Sequence, residues 1–193
     1  MGAGKTQPGK GGEESIALIG FMGAGKSAAG TLLAAKLGMT LVDLDEVVSG
    51  QAGMSVEEIF RSEGQDGFRI RESEALRMEL KTGEKVISCG GGVVLRDENI
   101  ELLRRKCRIY LLEISKRAAI ERLDSAVGRP LLEGGDLGER VGKLMEERSE
   151  RYVSAAHEVI DADDATPEEI AEEIAARWQR YRSEQRGEHT RSM

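Results

Sequence analysis

The sequence predicts a three-layer α/β/α fold with a central five-stranded parallel sheet, on three observations. Short apolar runs that read as strands alternate with segments of helical period over most of the chain. The first of these runs enters a glycine-rich loop and then a helix, the order of a strand–loop–helix unit. The length, 193 residues, suits one domain with a core of its own, so the five strands belong in a single sheet covered by helices on both faces.

Each element follows from local pattern. Residues 1–14, "MGAGKTQPGKGGEE", carry almost no side chain worth burying, and a flexible tail is expected there. "SIALIGF" (15–21) reads as a buried strand. "SAAGTLLAAKLG" (27–38) reads as a helix with Leu32, Leu33 and Leu37 inward and Gly38 closing it. "TLVDLD" (40–45) is the second strand. Ser55 with Glu58 forms a capping-box signature for "VEEIF", and a further helix is expected from about Asp66 to Lys81. "KVISCGGGVV" (85–94) is a strand that runs into three glycines, and "CRIYLLEI" (107–114) is a strand between helices near 97–105 and 115–123. A glycine-flanked loop over 127–138, a helix to about Ala156 and the strand "EVIDA" (158–162) follow. Thr166, Pro167 and Glu169 cap the last helix, whose Ile170, Ile174, Trp178 and Tyr181 recur at helical spacing, and the charged residues from 183 onward read as a frayed end.

Composition narrows the function classes. No apolar run approaches the roughly 20 residues of a membrane span. The net charge of −7 argues against a broad nucleic-acid surface. Cys89 and Cys107 are the only cysteines, too few for a disulfide framework, and a reducing cytoplasmic setting is expected. With His157 and His189 they form no metal-ligand spacing.

The chemistry starts at a duplicated tetrapeptide, GAGK, at residues 2–5 and again at 23–26. A phosphate cradle needs backbone N–H groups converging in front of a helix N-terminus. Only the second copy completes G-x-x-x-x-G-K-S, from Gly20 to Ser27, between a predicted strand and a predicted helix. Amides of Gly23, Ala24, Gly25, Lys26, Ser27 and Ala28 are therefore expected to hold the phosphates of ATP, with Lys26 bridging the β- and γ-phosphates and Ser27 ligating Mg²⁺. The first copy lacks the upstream glycine and any strand to hold it, and reads as a decoy.

Asp43 and Asp45 flank Leu44 at the end of the second strand. In extended backbone, positions i and i+2 face one way, so both carboxylates are expected beside the phosphate loop, one for magnesium and one for a hydroxyl; capping of the next helix is the competing reading. Gly90-Gly91-Gly92 would let a ligand approach the backbone closely.

The motifs "GFMGAGKS", "DLD", "GFRIRE", "SCGGGVV", "GRPLL" and "ERSERY", in that order over about residues 15–182, together resemble shikimate kinase, a small P-loop enzyme of the nucleoside-monophosphate-kinase-like group that serves aromatic amino-acid biosynthesis. The resemblance implies transfer of the γ-phosphoryl group of ATP to the 3-hydroxyl of shikimate. It makes Asp45 the base and places Asp43 on Mg²⁺ through water. Arg69, Gly91, Gly92 and Arg148 then surround shikimate, with Glu72 orienting Arg69. Arg122 stacks on adenine, and Arg129 belongs to a mobile lid over about residues 123–138; the substrate region spans about 44–82. A cytoplasmic monomer with shikimate and ATP as its only partners is implied. Independently, planar guanidinium groups suit a carboxylate-bearing substrate, and an arginine before Pro130 suits a closing loop. Ala28 and Gln65 depart from the family's usual Thr and Glu, and neither removes an assigned group. Another small-metabolite kinase of the same fold, such as a gluconate kinase, is the alternative enzyme. A binding protein that has lost the chemistry is the alternative outside enzymes, and it would be expected to have replaced Lys26, Asp45 or Arg129.

Deleting residues 1–12 should leave turnover within about twofold, because unscaffolded tails contribute little. Loss of ATP binding in that truncation, measured by titration calorimetry, would mean that the first GAGK is the working copy.

Overall fold

The computed structural model describes residues 14–124 and 136–191. Strands β1 (Ser15–Ile19), β2 (Thr40–Asp43), β3 (Lys85–Ser88), β4 (Cys107–Glu113) and β5 (Glu158–Asp161) form one sheet in the order β2-β3-β1-β4-β5, parallel throughout. The helices are α1 (Lys26–Leu37), α2 (Leu44–Ala52), α3 (Val56–Glu79), α4 (Asp97–Lys106), α5 (Lys116–Asp124), α6 (Leu137–Ala155) and α7 (Pro167–Arg191). Right-handed crossovers in this strand order put α1 on one face and α3, α4 and α6 on the other, and α7, after the last strand, joins α1. Accordingly α1 packs on α7, while α4 and α6 pack against β4. The three-layer parallel fold expected from the sequence is the one observed.

β1 lies at the centre, and all five of its residues are buried. It pairs with β3 from Ile16 opposite Val86 to Leu18 opposite Ser88, and with β4 from Ser15 opposite Cys107 to Ile19 opposite Leu111. Gly20 follows at φ 144°, and a Cβ there would lie 2.4 Å from the Leu112 carbonyl oxygen. The chain can leave the central strand this close to β4 only without a side chain.

Local signals mostly hold. The capping box at Ser55 forms, with Glu58 N–H donating to the Ser55 hydroxyl and Ser55 N–H to the Glu58 carboxylate at 2.8 Å. Thr166 and Glu169 make the same reciprocal pair ahead of α7. The two helices expected near 56–81 are one run broken at Gly64, whose φ of 72° is non-helical.

Three expectations change. Leu32 is 36% exposed, because the buried face of α1 runs through Ala29, Gly30, Leu33 and Ala34 and Leu32 lies off it. β2 ends at Asp43, so Leu44 and Asp45 are helical. α7 continues to Arg191 rather than fraying after Arg182, although Ser183 to Gly187 are exposed. The first GAGK and the segment 125–135, with Arg129, lie outside the described residues. Among the described residues no helix is long and apolar enough to cross a membrane.

Gly20→Ala should cost about 2 kcal/mol or more, from the steric conflict with Leu112 together with the unfavourable φ. An unchanged urea midpoint would show that the β1–β4 approach can relax.

Candidate active site

All strands point their carboxyl ends at one edge, and the sequence-predicted residues gather there. The loop after β1 closes with Ala24 N–H donating to the Phe21 carbonyl at 3.2 Å, and Gly25 caps α1 in the left-handed region at φ 86°. Gly23, Ala24 and Gly25 thus lead the chain into the positive end of α1, where Ser27 and Ala28 form the exposed first turn. Lys26 is buried, and its Nζ donates to the carbonyls of Gly20 and Phe21, both at 2.9 Å. The ammonium is thereby folded back over the start of its own loop.

Parallel register builds the next cluster. Asp43 and Ser88, the last residues of β2 and β3, are register partners, and α1 brings Ser27 against both. Ser27 Oγ donates to Asp43 Oδ2 at 2.5 Å and lies 3.2 Å from Ser88 Oγ. Two hydroxyls and one carboxylate are hard oxygen donors, few enough to leave most of an octahedron to water and phosphate, and they therefore fit Mg²⁺. Among the described residues no group of three or more His, Cys, Asp or Glu side chains could hold a metal by itself. Sequence reasoning missed Ser88, whose only signal is a hydroxyl closing an otherwise apolar strand.

The two aspartates meet by a different route from the one expected. Asp43 is the N-cap of α2, and its Oδ1 accepts from Asp45 N–H at 3.0 Å. Asp45 therefore sits in the first turn of a helix, where the macrodipole favours a carboxylate, and not on a strand face. The helix cap of the competing reading does form, at Asp43, and it still leaves Asp43 Oδ2 turned to Ser27.

A second cluster surrounds the three glycines. Arg69 and Glu72 lie one turn apart on α3, both buried, joined by Arg69 Nη1 donating to Glu72 Oε2 at 2.6 Å. A Cβ on Gly92 would stand 2.2 Å from Arg69 Cζ, and one on Gly90 would stand 2.5 Å from Glu72 Oε1 and 2.7 Å from Asp45 Oδ1. The glycines thus give space to a guanidinium and two carboxylates. On the opposite side α6 presents Arg148, 2% exposed, whose Nη1 donates to the Gly91 carbonyl at 3.1 Å. Arg69 Nε and Glu72 Oε1 are buried without a hydrogen-bond partner among the described residues. Burial, opposed mainly by Arg69, raises the Glu72 carboxyl above its ordinary value, and Asp45 adds to the rise.

Arg122 on α5 ties the two ends of the site together. Its Nη1 donates to Gly23 O at 3.2 Å, and its Nη2 donates to the carbonyls of Ala162 and Asp163 at 2.7 and 2.6 Å. A cation is so fixed at the rim of the phosphate loop, beside the turn that follows β5.

The chain that carries this site has counterparts among known proteins. The family model described as "SKI: Shikimate kinase" matches residues 22–179. The chain belongs to the shikimate kinase family. A shikimate kinase of Thermodesulfovibrio yellowstonii is 41% identical over 86% of this chain and 96% of its own length, and one of Marinomonas is 38% identical over 83% and 89%. Among solved structures, the shikimate kinase from Acinetobacter baumannii in complex with shikimate superposes with a TM-score of 0.81 at 29% identity, covering 84% of this chain and 90% of that one. A gluconokinase from Sinorhizobium meliloti, at 16% identity and a TM-score of 0.59 over 94% of this chain and 98% of that one, shares the fold alone.

The Glu72 environment predicts a pH signature. Above about pH 4.5 the unfolded chain releases this proton while the folded group retains it, so Glu72 makes stability fall as pH rises until the folded carboxyl also ionises. Glu72→Gln should flatten that part of the stability curve, read from urea midpoints between about pH 4 and 8. It should also lower stability throughout, since Arg69 loses its counter-charge. An unaltered slope would assign the titration to other groups.

Proposed function

We propose that this protein is an ATP-dependent shikimate kinase that transfers the γ-phosphoryl group to the 3-hydroxyl of shikimate, yielding shikimate 3-phosphate and ADP. The observation that carries the reading is the set of two buried arginines, Arg69 and Arg148, on opposite sides of the glycine run and next to Asp45 and the phosphate loop. A phosphate loop alone suits any nucleotide user. Buried guanidinium groups beside a carboxylate base suit a small anion that carries a reacting hydroxyl.

Each group has a stated task. Amides from Gly23 to Ala28 receive the ATP phosphates at the positive end of α1. Lys26 exchanges the Gly20 and Phe21 carbonyls for β- and γ-phosphate oxygens. Ser27, with Asp43 through water, would hold Mg²⁺, which when bound neutralises triphosphate charge. Arg69 and Arg148 bind the substrate carboxylate, and the amides of Gly91 and Gly92 bound the same space. Asp45 accepts the proton of the attacking hydroxyl. Arg122 flanks the adenine, and Arg129 is assigned to the transferring phosphoryl group on its motif alone. A reducing cytoplasmic setting fits two buried free cysteines.

The test is ADP release with ATP, Mg²⁺ and either shikimate or gluconate; turnover on gluconate alone would overturn the assignment. Asp45→Asn keeps size but cannot take the proton, so kcat should fall by roughly 10²–10⁴ with ATP binding little changed. Arg69→Ala should raise the shikimate KM at least about tenfold, from loss of a charge-assisted contact of about 1.5–3 kcal/mol. Wild-type turnover in Asp45→Asn would remove the base from the mechanism.

A further inference from the structure

Tyr152 has no role in the reading above, yet its hydroxyl donates to the same Gly91 carbonyl that receives Arg148. The two side chains are four residues apart on α6 and so share one face of it. The Tyr152 ring is 5% exposed and lines a small cavity of about 80 Å³ with Phe21, Leu112, Met145 and Ser149. Packing fixes the ring, and the hydroxyl fixes the peptide beyond it. One helical turn of α6 is clamped on this stretch of chain, because Arg151 also donates, from Nε to the Val94 carbonyl at 2.5 Å.

A trans peptide is planar, with its C=O and the following N–H on opposite sides. With the Gly91 carbonyl held toward α6 by two donors, the Gly92 N–H must point away from α6. That amide makes no hydrogen bond to another described residue, and the Arg69 guanidinium lies directly against Gly92. An oriented backbone donor and a guanidinium at one spot make a site for an anionic oxygen. Glycine is the residue whose backbone would otherwise be least constrained, so an external clamp has most effect here. Burial pushes the Tyr152 phenol up to about 12, and it stays a protonated donor over the working pH range.

We infer that Tyr152 is a positioning residue of the substrate site: through its hydrogen bond to the Gly91 carbonyl it aims the Gly92 amide at the anionic substrate. The inference rests on the functional reading above and adds a residue to it. Tyr152 acts through the peptide and need not touch substrate.

Tyr152→Phe keeps the ring and removes only the hydroxyl. The expected result is a shikimate KM raised about three- to tenfold, the effect of loosening one neutral hydrogen bond. The ATP dissociation constant should stay within about twofold, and kcat should change less than KM. Without any substrate, amide hydrogen exchange at Val93 and Leu95, whose N–H groups donate to the Gly90 and Gly92 carbonyls, should accelerate in the variant while exchange in β1 and β4 stays as in the wild type. An unchanged KM together with unchanged exchange at Val93 and Leu95 would overturn the proposal, and so would a uniform rise of exchange across the sheet, which marks Tyr152 as a packing residue only. If the wild type fails to phosphorylate shikimate, the functional reading falls while the exchange measurement still decides whether Tyr152 orients the loop.

Discussion

Parallel pairing of one buried strand with two neighbours is the constraint from which the rest of the site follows. β1 bonds β3 on one side and β4 on the other, and the ladder continues one step past the strands as Cys89 N–H donates to the Leu18 carbonyl. That registry levels the ends of the strands. It brings the phosphate loop, the Asp43–Ser88 pair and the three glycines to one edge, where parallel sheets leave a crevice. A slip of β3 by one residue would turn Ser88 to the other face of the sheet and take it from Ser27 and Asp43. Burial on both faces prevents that slip, since Val86 and Ile87 are both fully covered.

On this frame the site separates into two electrostatic halves. The half assigned to the nucleotide relies on backbone, namely the loop amides and the N-terminus of α1, with a lysine side chain stored on loop carbonyls. The half assigned to the acceptor relies on side chains that cost free energy to bury, and it compensates by pairing them. Arg69 is covered by Glu72, while Arg148 rests on a backbone carbonyl. Glu72 Oε1 and Arg69 Nε remain without partners among the described residues, a buried polar deficit of the kind that binding sites hold. Glycines at 90 and 92 make this density possible, as any side chain there would collide with charged groups.

Helix α6 supports the glycine run. Its Arg148, Arg151 and Tyr152 all reach into the segment from Gly91 to Asp97, so this short stretch is held by side chains from another layer as well as by its own turn. The 3₁₀ turn at Val93–Leu95 closes the same stretch, with Val93 N–H donating to Gly90 O and Leu95 N–H to Gly92 O. Loops that carry function often need such an outside support, because their own hydrogen bonds are too few to select one conformation.

By itself the sequence determined the alternation of strands and helices, the setting of the second GAGK between a strand and a helix, and the capping boxes at Ser55 and Thr166, and it named most of the groups that the fold gathers at one edge. These are short-range matters: a phosphate loop needs a strand before it and a helix after it, and both are written in adjacent residues. What only the tertiary structure decided is how distant residues meet. Asp43 and Asp45 read as strand neighbours, yet an aspartate next to a helix start is worth more as a cap, so Asp45 entered α2. Leu32 matched an apolar pattern by type, but the choice of buried face belongs to the sheet that packs on Gly30 through Leu18 and Leu41. Ser88 and Tyr152 stand at the ends of two of the sequence motifs, yet the sequence assigns them no task, because a hydroxyl gains its role from its partner. Strand registry supplies that partner for Ser88, and the packing of α6 against the glycine run supplies it for Tyr152.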